Sequence, residues 1–119
     1  MAVLIAVMMA VNYWRAYSDP VGFAAYFGAA GAADANPAFV IVYSSRALFL
    51  TVVTAVLIAT YQVRALKYFA LVAVIMPVLD AVQVAQAGGP SAIVARHITI
   101  AAYLVATGHF LHRKDRANA

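Results

Sequence analysis

The chain has no cysteine and no glutamate, and its only carboxylate side chains are those of four aspartates. The absence of cysteine excludes thiol–disulfide chemistry, thiolate zinc sites and iron–sulfur clusters. Charge is also scarce: charged residues make up 10% of the 119 residues and hydrophobic residues 66%. Because a soluble domain carries about a quarter charged residues, this composition predicts a single membrane-embedded, all-α domain.

The basic residues outnumber the acidic ones and give a formal net charge of +4. They lie at the ends of apolar runs, where lysine and arginine set membrane topology. They do not form a basic stripe with interleaved aromatic residues, which a nucleic-acid-binding surface would show. We therefore predict the lipid bilayer as partner and no nucleic acid, and we predict no cofactor and no metal.

Four apolar runs predict a four-helix transmembrane bundle, because about 20 apolar residues are needed to cross the hydrocarbon core. The predicted domain covers residues 1–112, followed by a polar cytoplasmic tail at 113–119. The first run ends in Asn12, Tyr13, Trp14 and Arg15 rather than in a small-residue cleavage site, so we predict a retained helix and not a signal peptide. The predicted helices are about 1–17, 38–60, 67–86 and 91–111.

The connections between the runs carry local signals. Ser18, Asp19 and Pro20 predict a helix stop or the N-cap of a short new helix. The following apolar segment VGFAAYFG is too short to span, so we place it at the interface in the first outer loop. Residues 29–37 are predicted to be a flexible loop, residues 61–67 a short basic turn and residues 87–90 a tight turn.

The distribution of lysine and arginine predicts the orientation. With a cytoplasmic N-terminus, five basic residues lie on the cytoplasmic side and two on the opposite side, which favours both termini inside the cell in an inner (plasma) membrane. The cytoplasmic set is Arg64, Lys67, Arg113, Lys114 and Arg116, and the outer set is Arg15 and Arg96.

Three ionisable residues fall within the predicted spans, at similar depth. Measured from the outer ends of their helices, Arg46 lies about 12 Å deep, His97 about 9 Å and Asp80 about 10 Å. A charge inside a spanning helix marks a functional site or a specific buried partner. Because arginine forms two charge-assisted hydrogen bonds with a carboxylate, we predict an Arg46–Asp80 pair with His97 nearby.

Tyr43 and Gln83 lie one turn from Arg46 and Asp80, and Asn12 ends at the same outer side, so these three are predicted ligand-binding residues. The short aromatic segment could cover this cluster. Two alternatives stay open. The ion pair could be purely structural and fix the helix register. Arg96 could also face the interior in place of His97, because the two side chains point about 100° apart.

His109 and His112 are three residues apart near the inner end of the last run. A metal site needs further ligands, and only Asp115 is near them in the sequence, so we interpret the two histidines as interfacial. Haem binding is disfavoured, because His97 has no second histidine at its level.

A set of single-residue features resembles a family of small four-helix membrane proteins, which is known as a domain of unknown function, occurs in bacteria and fungi and is loosely similar to DoxX-like proteins. The features are Phe27-Gly28, Arg46, Pro77, Asp80, Gly88, Gly89 and His97. The resemblance implies the four-helix fold and marks Arg46, Asp80 and His97, and it implies no established activity. The chain departs from the family pattern at Ser44 and Ser45, where glycine is expected.

Three functions are compatible with these residues. The first is the binding of a small apolar molecule or a partner helix at the polar cluster. The second is a membrane-embedded enzyme, of isomerase, cyclase or epoxide hydrolase type, with Asp80 and His97 as acid and base and with Arg46 or Tyr43 stabilising negative charge. The third is a small proton-coupled transporter. Small residues in the spans also permit a homo-oligomer.

Overall fold

The computed structural model describes residues 1–28 and 38–117, with Phe39 described by its backbone alone, and all regular structure in them is helical. The predicted flexible loop at 29–37 and the last two residues of the predicted tail lie outside the described residues. The chain divides into two compact units, Met1–Ala55 and Val56–Ala119. The helices are α1 (Ala2–Ser18), α2 (Pro20–Phe27), α3 (Ala38–Ala59), α4 (Val63–Ala73), α5 (Ile75–Gln86) and α6 (Ser91–Ala117).

In the first unit, α1 and α2 are separated by a single residue, Asp19. Its carboxylate accepts a hydrogen bond from the Gly22 backbone N–H at 2.9 Å, and Pro20 occupies the first turn of α2. Both features favour a helix start, and they confirm the short helix that the sequence predicts. Gly28 ends α2 in the left-handed conformation, with φ 101°, which glycine adopts without steric cost.

The core of the first unit joins α1, α2 and the start of α3. One face of α2 buries Phe23, Ala24 and Phe27, and these side chains pack with Ala16 of α1 and Val40 of α3. Tyr43 packs against this cluster from one turn further along α3. The apolar segment that is too short to span is therefore held by its own buried face.

The second unit is an antiparallel hairpin in which α6 packs against α4 and α5. Gly88 has a φ of 70° and donates its N–H to the Ala85 carbonyl, and the Gly89 N–H bonds to the Val84 carbonyl. This pair of bonds closes a helix at a left-handed residue and turns the chain back. The buried residues of α6 recur at alternating spacings of four and three, as in a coiled-coil seam. They include His97, Ala101, Leu104, Gly108 and Leu111.

Pro77 lies just after an interruption in the first arm of the hairpin. The helix stops at Ala73 and resumes at Ile75. Proline has no N–H to donate to the carbonyl four residues earlier, which is that of Ala73. The two pieces together form one apolar segment, Val63–Gln86, that is long enough to cross a membrane.

The structure corrects the bounds of two predicted connections. The basic turn is shorter than predicted, because α4 begins at Val63 and takes in Arg64 and Lys67. The turn after α3 is centred instead on Tyr61, which has a φ of 55°, with the Gln62 N–H bonded to the Leu57 carbonyl. A tyrosine in this conformation is not a turn signal in the sequence. The last helix is also longer than predicted, because α6 continues past residue 111 to Ala117.

Three helical segments among the described residues are long and apolar enough to cross a membrane: Val40–Ala59, Val63–Gln86 and Ser91–Ala117. The 17 residues of α1 extend about 26 Å, which is short of a hydrocarbon core of about 30 Å. The all-helical class and the three segments agree with the sequence analysis, whereas a four-helix transmembrane bundle stays a prediction.

Candidate functional site

Two contacts fix the register of the hairpin in the second unit. The Lys67 ammonium lies 2.8 Å from a carboxylate oxygen of Asp115, and the Leu71 side chain lies against the backbone of Gly108. In an antiparallel helix pair, residue numbers rise along one helix where they fall along the other. Residues at the same level can therefore be found by counting from these two contacts and from the turn at Gly88. The count places Asp80 of α5 about one helical turn or less from the level of His97 of α6.

Asp80 and His97 also lie on the faces of their helices that meet. Asp80 is half-buried and lies three residues after the buried Pro77 and four before the buried Val84, so the three share one face of α5. The His97 side chain is 4% exposed and lies one turn before the buried Ala101. The hairpin therefore brings an aspartate and a histidine to one level of one seam.

The two residues that the sequence left as alternatives on α6 differ in burial. His97 is buried, whereas Arg96 is half-buried. Arg96 lies at the border of the packed face, about 100° around the helix from His97. Gln83, a predicted ligand-binding residue one turn after Asp80, is exposed on the hairpin.

In the first unit, the predicted site residues Tyr43 and Arg46 are in contact. The Arg46 guanidinium carbon lies 4.9 Å from the centre of the Tyr43 ring, a cation–π arrangement. The Tyr43 ring in turn lies 4.9 Å from that of Phe23 and 5.0 Å from that of Phe27. The aromatic segment that was predicted to cover the site thus packs against one of the predicted site residues.

A second cation–π contact joins α1 to α2. The Arg15 guanidinium of α1 lies 5.3 Å from the centre of the Tyr26 ring, and the Tyr26 ring is 6.2 Å from that of Phe23. Asn12, one turn before Arg15 and Ala16, is half-buried on α1. Aromatic rings therefore connect the two arginines of the first unit, through Tyr26, Phe23 and Tyr43.

The structure does not test the central ion pair of the sequence analysis. Arg46 belongs to the first compact unit and Asp80 to the second, and their pairing stays a prediction. Every buried side-chain nitrogen and oxygen in the described residues has a hydrogen-bond partner. Polar groups in the interior of each unit are therefore satisfied, as burial requires.

The two serines beside Arg46 are committed to their own helix. Ser44 donates its hydroxyl to the Ile41 carbonyl at 2.7 Å, and Ser45 donates to the Val42 carbonyl at 2.8 Å. Ser44 is buried, so its small side chain fits where the family resemblance led us to expect glycine. Each hydroxyl therefore donates its proton to a backbone carbonyl and not to a side-chain base, as an activated serine nucleophile would.

The sequence analysis missed one cluster, at the end of the hairpin opposite the turn. Asp115 accepts from Lys67 and also lies 3.6 Å from the Arg64 side chain. The Lys67 side chain is 8% exposed, although a lysine in a basic turn would normally be solvated. One feature of the sequence could have revealed this cluster: Asp115 is the only carboxylate within a run of basic residues.

The two histidines considered as metal ligands in the sequence analysis lie near the same end of α6. His109 is exposed and His112 is half-buried. Within residues 1–28 and 38–117, no group of three or more potential ligands is arranged to hold a metal ion.

A family model described as a domain of unknown function (DUF4267) matches residues 3–111. The chain belongs to this family. No curated protein and no solved structure matches the chain. The residues that carried the resemblance, including Arg46, Asp80 and His97, all lie within the segment that the DUF4267 model covers. The likeness to DoxX-like proteins stays an expectation, and membership of DUF4267 assigns no activity.

Proposed function

We propose that the chain is an integral membrane protein with four spanning helices, and that it binds a small apolar molecule or a partner helix at a polar cluster of Arg46, Asp80 and His97. The observation that carries this proposal is the hairpin seam, in which a buried histidine lies level with an aspartate. Both arms of that hairpin are long and apolar enough to cross a membrane. An ionisable pair at such a depth is a functional site by default.

The surface of the helices supports insertion in a bilayer. In the candidate spans only 17–28% of the most apolar window is buried inside the protein. The outer surfaces carry large exposed side chains such as Phe49 at 63%, Val72 at 65% and Phe110 at 58%. An apolar surface of this extent is covered by lipid or by another protein. We propose that α1, whose exposed residues include Val3 and Leu4, is the fourth span.

The proposed location is the inner (plasma) membrane, with both termini of the chain on the cytoplasmic side. It is supported by the basic residues Arg64, Arg113, Lys114 and Arg116, which lie at one end of the hairpin and favour the cytoplasmic side. The natural absence of cysteine makes the test direct. Ala2→Cys and Ala117→Cys, each alone, should react with an impermeant maleimide only after the membrane is opened. Labelling of either one in intact cells would contradict the topology.

The proposed ligand is apolar with one polar group. The surroundings of the cluster are helices rich in alanine, valine and leucine, which suit an apolar body. Asp80 and His97 supply acceptor and donor groups at one level. Arg46 supplies a permanent charge for an oxygen atom of the ligand. Because Ser44 and Ser45 are bonded to their own helix, the cluster lacks an activated nucleophile, which favours binding over acyl transfer.

The test is to extract the protein with its native lipid and to identify any co-purifying molecule by mass spectrometry. We expect Asp80→Asn and His97→Asn each to reduce its amount per protein strongly. Asn12→Ala, Tyr43→Leu and Gln83→Ala then test the predicted ligand-binding residues, and Gln86→Ala on the exposed face of α5 is the control. If no molecule co-purifies, or if its amount is unchanged in both Asp80 and His97 variants, the proposal is wrong.

The same variants separate binding from a purely structural ion pair. Asp80→Asn, Arg46→Gln and the double variant are compared for stability in detergent. If the two charges are paired, each single change leaves one charge uncompensated, and the double change should cost less than the two single changes added together. A loss of stability with the bound molecule retained would support a structural role.

A membrane-embedded enzyme for a lipophilic substrate is a second candidate. It is favoured by the shared level of Asp80 and His97, because a carboxyl and an imidazole within reach of one substrate can act as acid and base. Isomerisation, cyclisation and epoxide opening all need such a pair and no serine or cysteine nucleophile. Conversion of the co-purified molecule on incubation with the protein, abolished in His97→Asn, would favour this candidate.

A further inference from the structure

The positive net charge of the chain comes from one end of the hairpin formed by α4, α5 and α6. Five basic residues lie there, with one carboxylate, that of Asp115, and together they account for the net charge of +4. Elsewhere three arginines and three aspartates cancel. The basic residues are Arg64, Lys67, Arg113, Lys114 and Arg116.

The one carboxylate at this end is already neutralised within the protein. Asp115 lies 2.8 Å from the buried Lys67 ammonium and 3.6 Å from the Arg64 side chain. Arg64 is nevertheless 73% exposed, and Arg113, Lys114 and Arg116 are all exposed. Four cations therefore face outward around a carboxylate that no longer repels an anion.

These cations lie where lipid headgroups would be. The 27 residues of α6 extend about 40 Å, which exceeds a hydrocarbon core of about 30 Å by nearly two turns. The basic residues occupy the last two turns of α6 and the first two turns of α4. If the apolar part of the hairpin fills the hydrocarbon core, the exposed cations stand at the level of the phosphates.

Tyr61 gives independent support for an interface at this end. It adopts a left-handed backbone conformation, with φ 55°, which glycine occupies freely and other residues adopt at a cost. Its side chain is 88% exposed, so packing inside the protein does not compensate for that cost. A tyrosine at the headgroup level is stabilised by its apolar ring and its polar hydroxyl.

We propose that this end of the hairpin, formed by Tyr61, Arg64, Arg113, Lys114 and Arg116, binds the phosphate groups of anionic lipids. Lys67 and Asp115 hold the two helices together beneath it. Such polybasic ends attract anionic lipids through charge, and arginine forms two hydrogen bonds with one phosphate. The proposal does not depend on the ligand of the Arg46, Asp80 and His97 cluster.

The test uses the full chain reconstituted in bilayers with spin-labelled phosphatidylglycerol or phosphatidylcholine, and compares their association with the protein. We expect a preference for phosphatidylglycerol that weakens at high salt. Arg113→Gln/Arg116→Gln should reduce the preference by about fivefold for each charge removed. Arg15→Gln/Arg96→Gln is the control, with the same change of net charge at other positions, and it should keep the preference.

Three results would overturn the proposal. One is an equal affinity of the unaltered protein for the two lipids. Another is an equal loss of preference in the two double variants, which would indicate net charge rather than a local site. The last is displacement of the labelled lipid by soluble glycerol phosphate at low concentration, which would indicate a site for free phosphate compounds. Circular dichroism of each variant confirms that the helices are intact before the comparison.

Discussion

Gly108 lies close against Leu71 of the opposite arm of the hairpin. A Cβ atom placed on it would lie 2.5 Å from Cδ2 and 2.7 Å from Cγ of Leu71. Carbon atoms in ordinary contact are about 3.5–4.0 Å apart. In Gly108→Ala the Leu71 side chain must therefore move by about 1 Å or the helices must separate. Leu71 is 42% exposed, so it has room to rotate outward.

Two opposing terms decide the effect of Gly108→Ala on the free energy of unfolding. Overpacking in a core costs about 1–3 kcal/mol, whereas alanine in place of glycine stabilises a helix interior by about 1 kcal/mol. We expect a net effect between zero and a loss of about 2 kcal/mol. With Leu71→Ala already present, the colliding atoms are gone, and Gly108→Ala should become stabilising by about 1 kcal/mol.

The assay is reversible unfolding in mixed micelles with increasing dodecyl sulfate, followed by far-ultraviolet circular dichroism. The four proteins of the Gly108 and Leu71 cycle are compared. Ala106→Gly is the control for helix propensity, because Ala106 is exposed on the same helix. The effect of Gly108→Ala on the free energy of unfolding should be more favourable by about 1–3 kcal/mol when Leu71→Ala is present. Additivity of the two changes to within about 0.5 kcal/mol would refute the close approach.

Three further predictions concern single contacts. Lys67→Met and Asp115→Asn should each lower the unfolding midpoint in the same assay, because each leaves the other charge uncompensated, and the double variant should recover much of the loss; two additive losses would contradict the pairing. Asp19→Ala should destabilise the start of α2 by about 1 kcal/mol, seen as faster hydrogen exchange at the Gly22 amide, while Asp19→Asn retains protection. Tyr43→Ala should cost about 3 kcal/mol by removing a half-buried aromatic residue from its cluster, whereas Tyr43→Phe should cost far less, and equal losses would assign the effect to the hydroxyl.

Much of the helical layout could be predicted from the sequence, because it depends on local properties. The length of the apolar runs predicts which segments can span. The Asp19-Pro20 pair predicts the start of α2, and Pro77 predicts the interruption of the first hairpin arm. At Asp19-Pro20 and at Pro77, the atoms that start or break the helix lie within one helical turn of the place where it starts or breaks. A separate set of single residues, among them Arg46, Asp80 and His97, predicted membership of a family of unknown function, which the DUF4267 match confirms.

The misplaced bounds have a common physical cause. The start of α4 and the end of α6 lie beyond the apolar runs, in residues that hydropathy assigns to a turn and a tail. Near these two helix ends Lys67 and Asp115, far apart in the sequence, meet across the hairpin, a contact that no local signal shows. The turn at Tyr61 has a positive φ without glycine, which no propensity rule would select.

The sequence by itself determined the helical class, which segments are long and apolar enough to cross a membrane, the places where helices start and break, and the identity of the few ionisable residues in apolar surroundings. These follow from composition and from interactions between near neighbours in the chain. Only the tertiary structure decided which faces meet: His97 in the hairpin seam level with Asp80, Phe23 and Phe27 against Tyr43, and Gly108 beneath Leu71. The rotation of one helix against another depends on packing between distant residues, and the periodicity of a uniformly apolar helix carries little information about it.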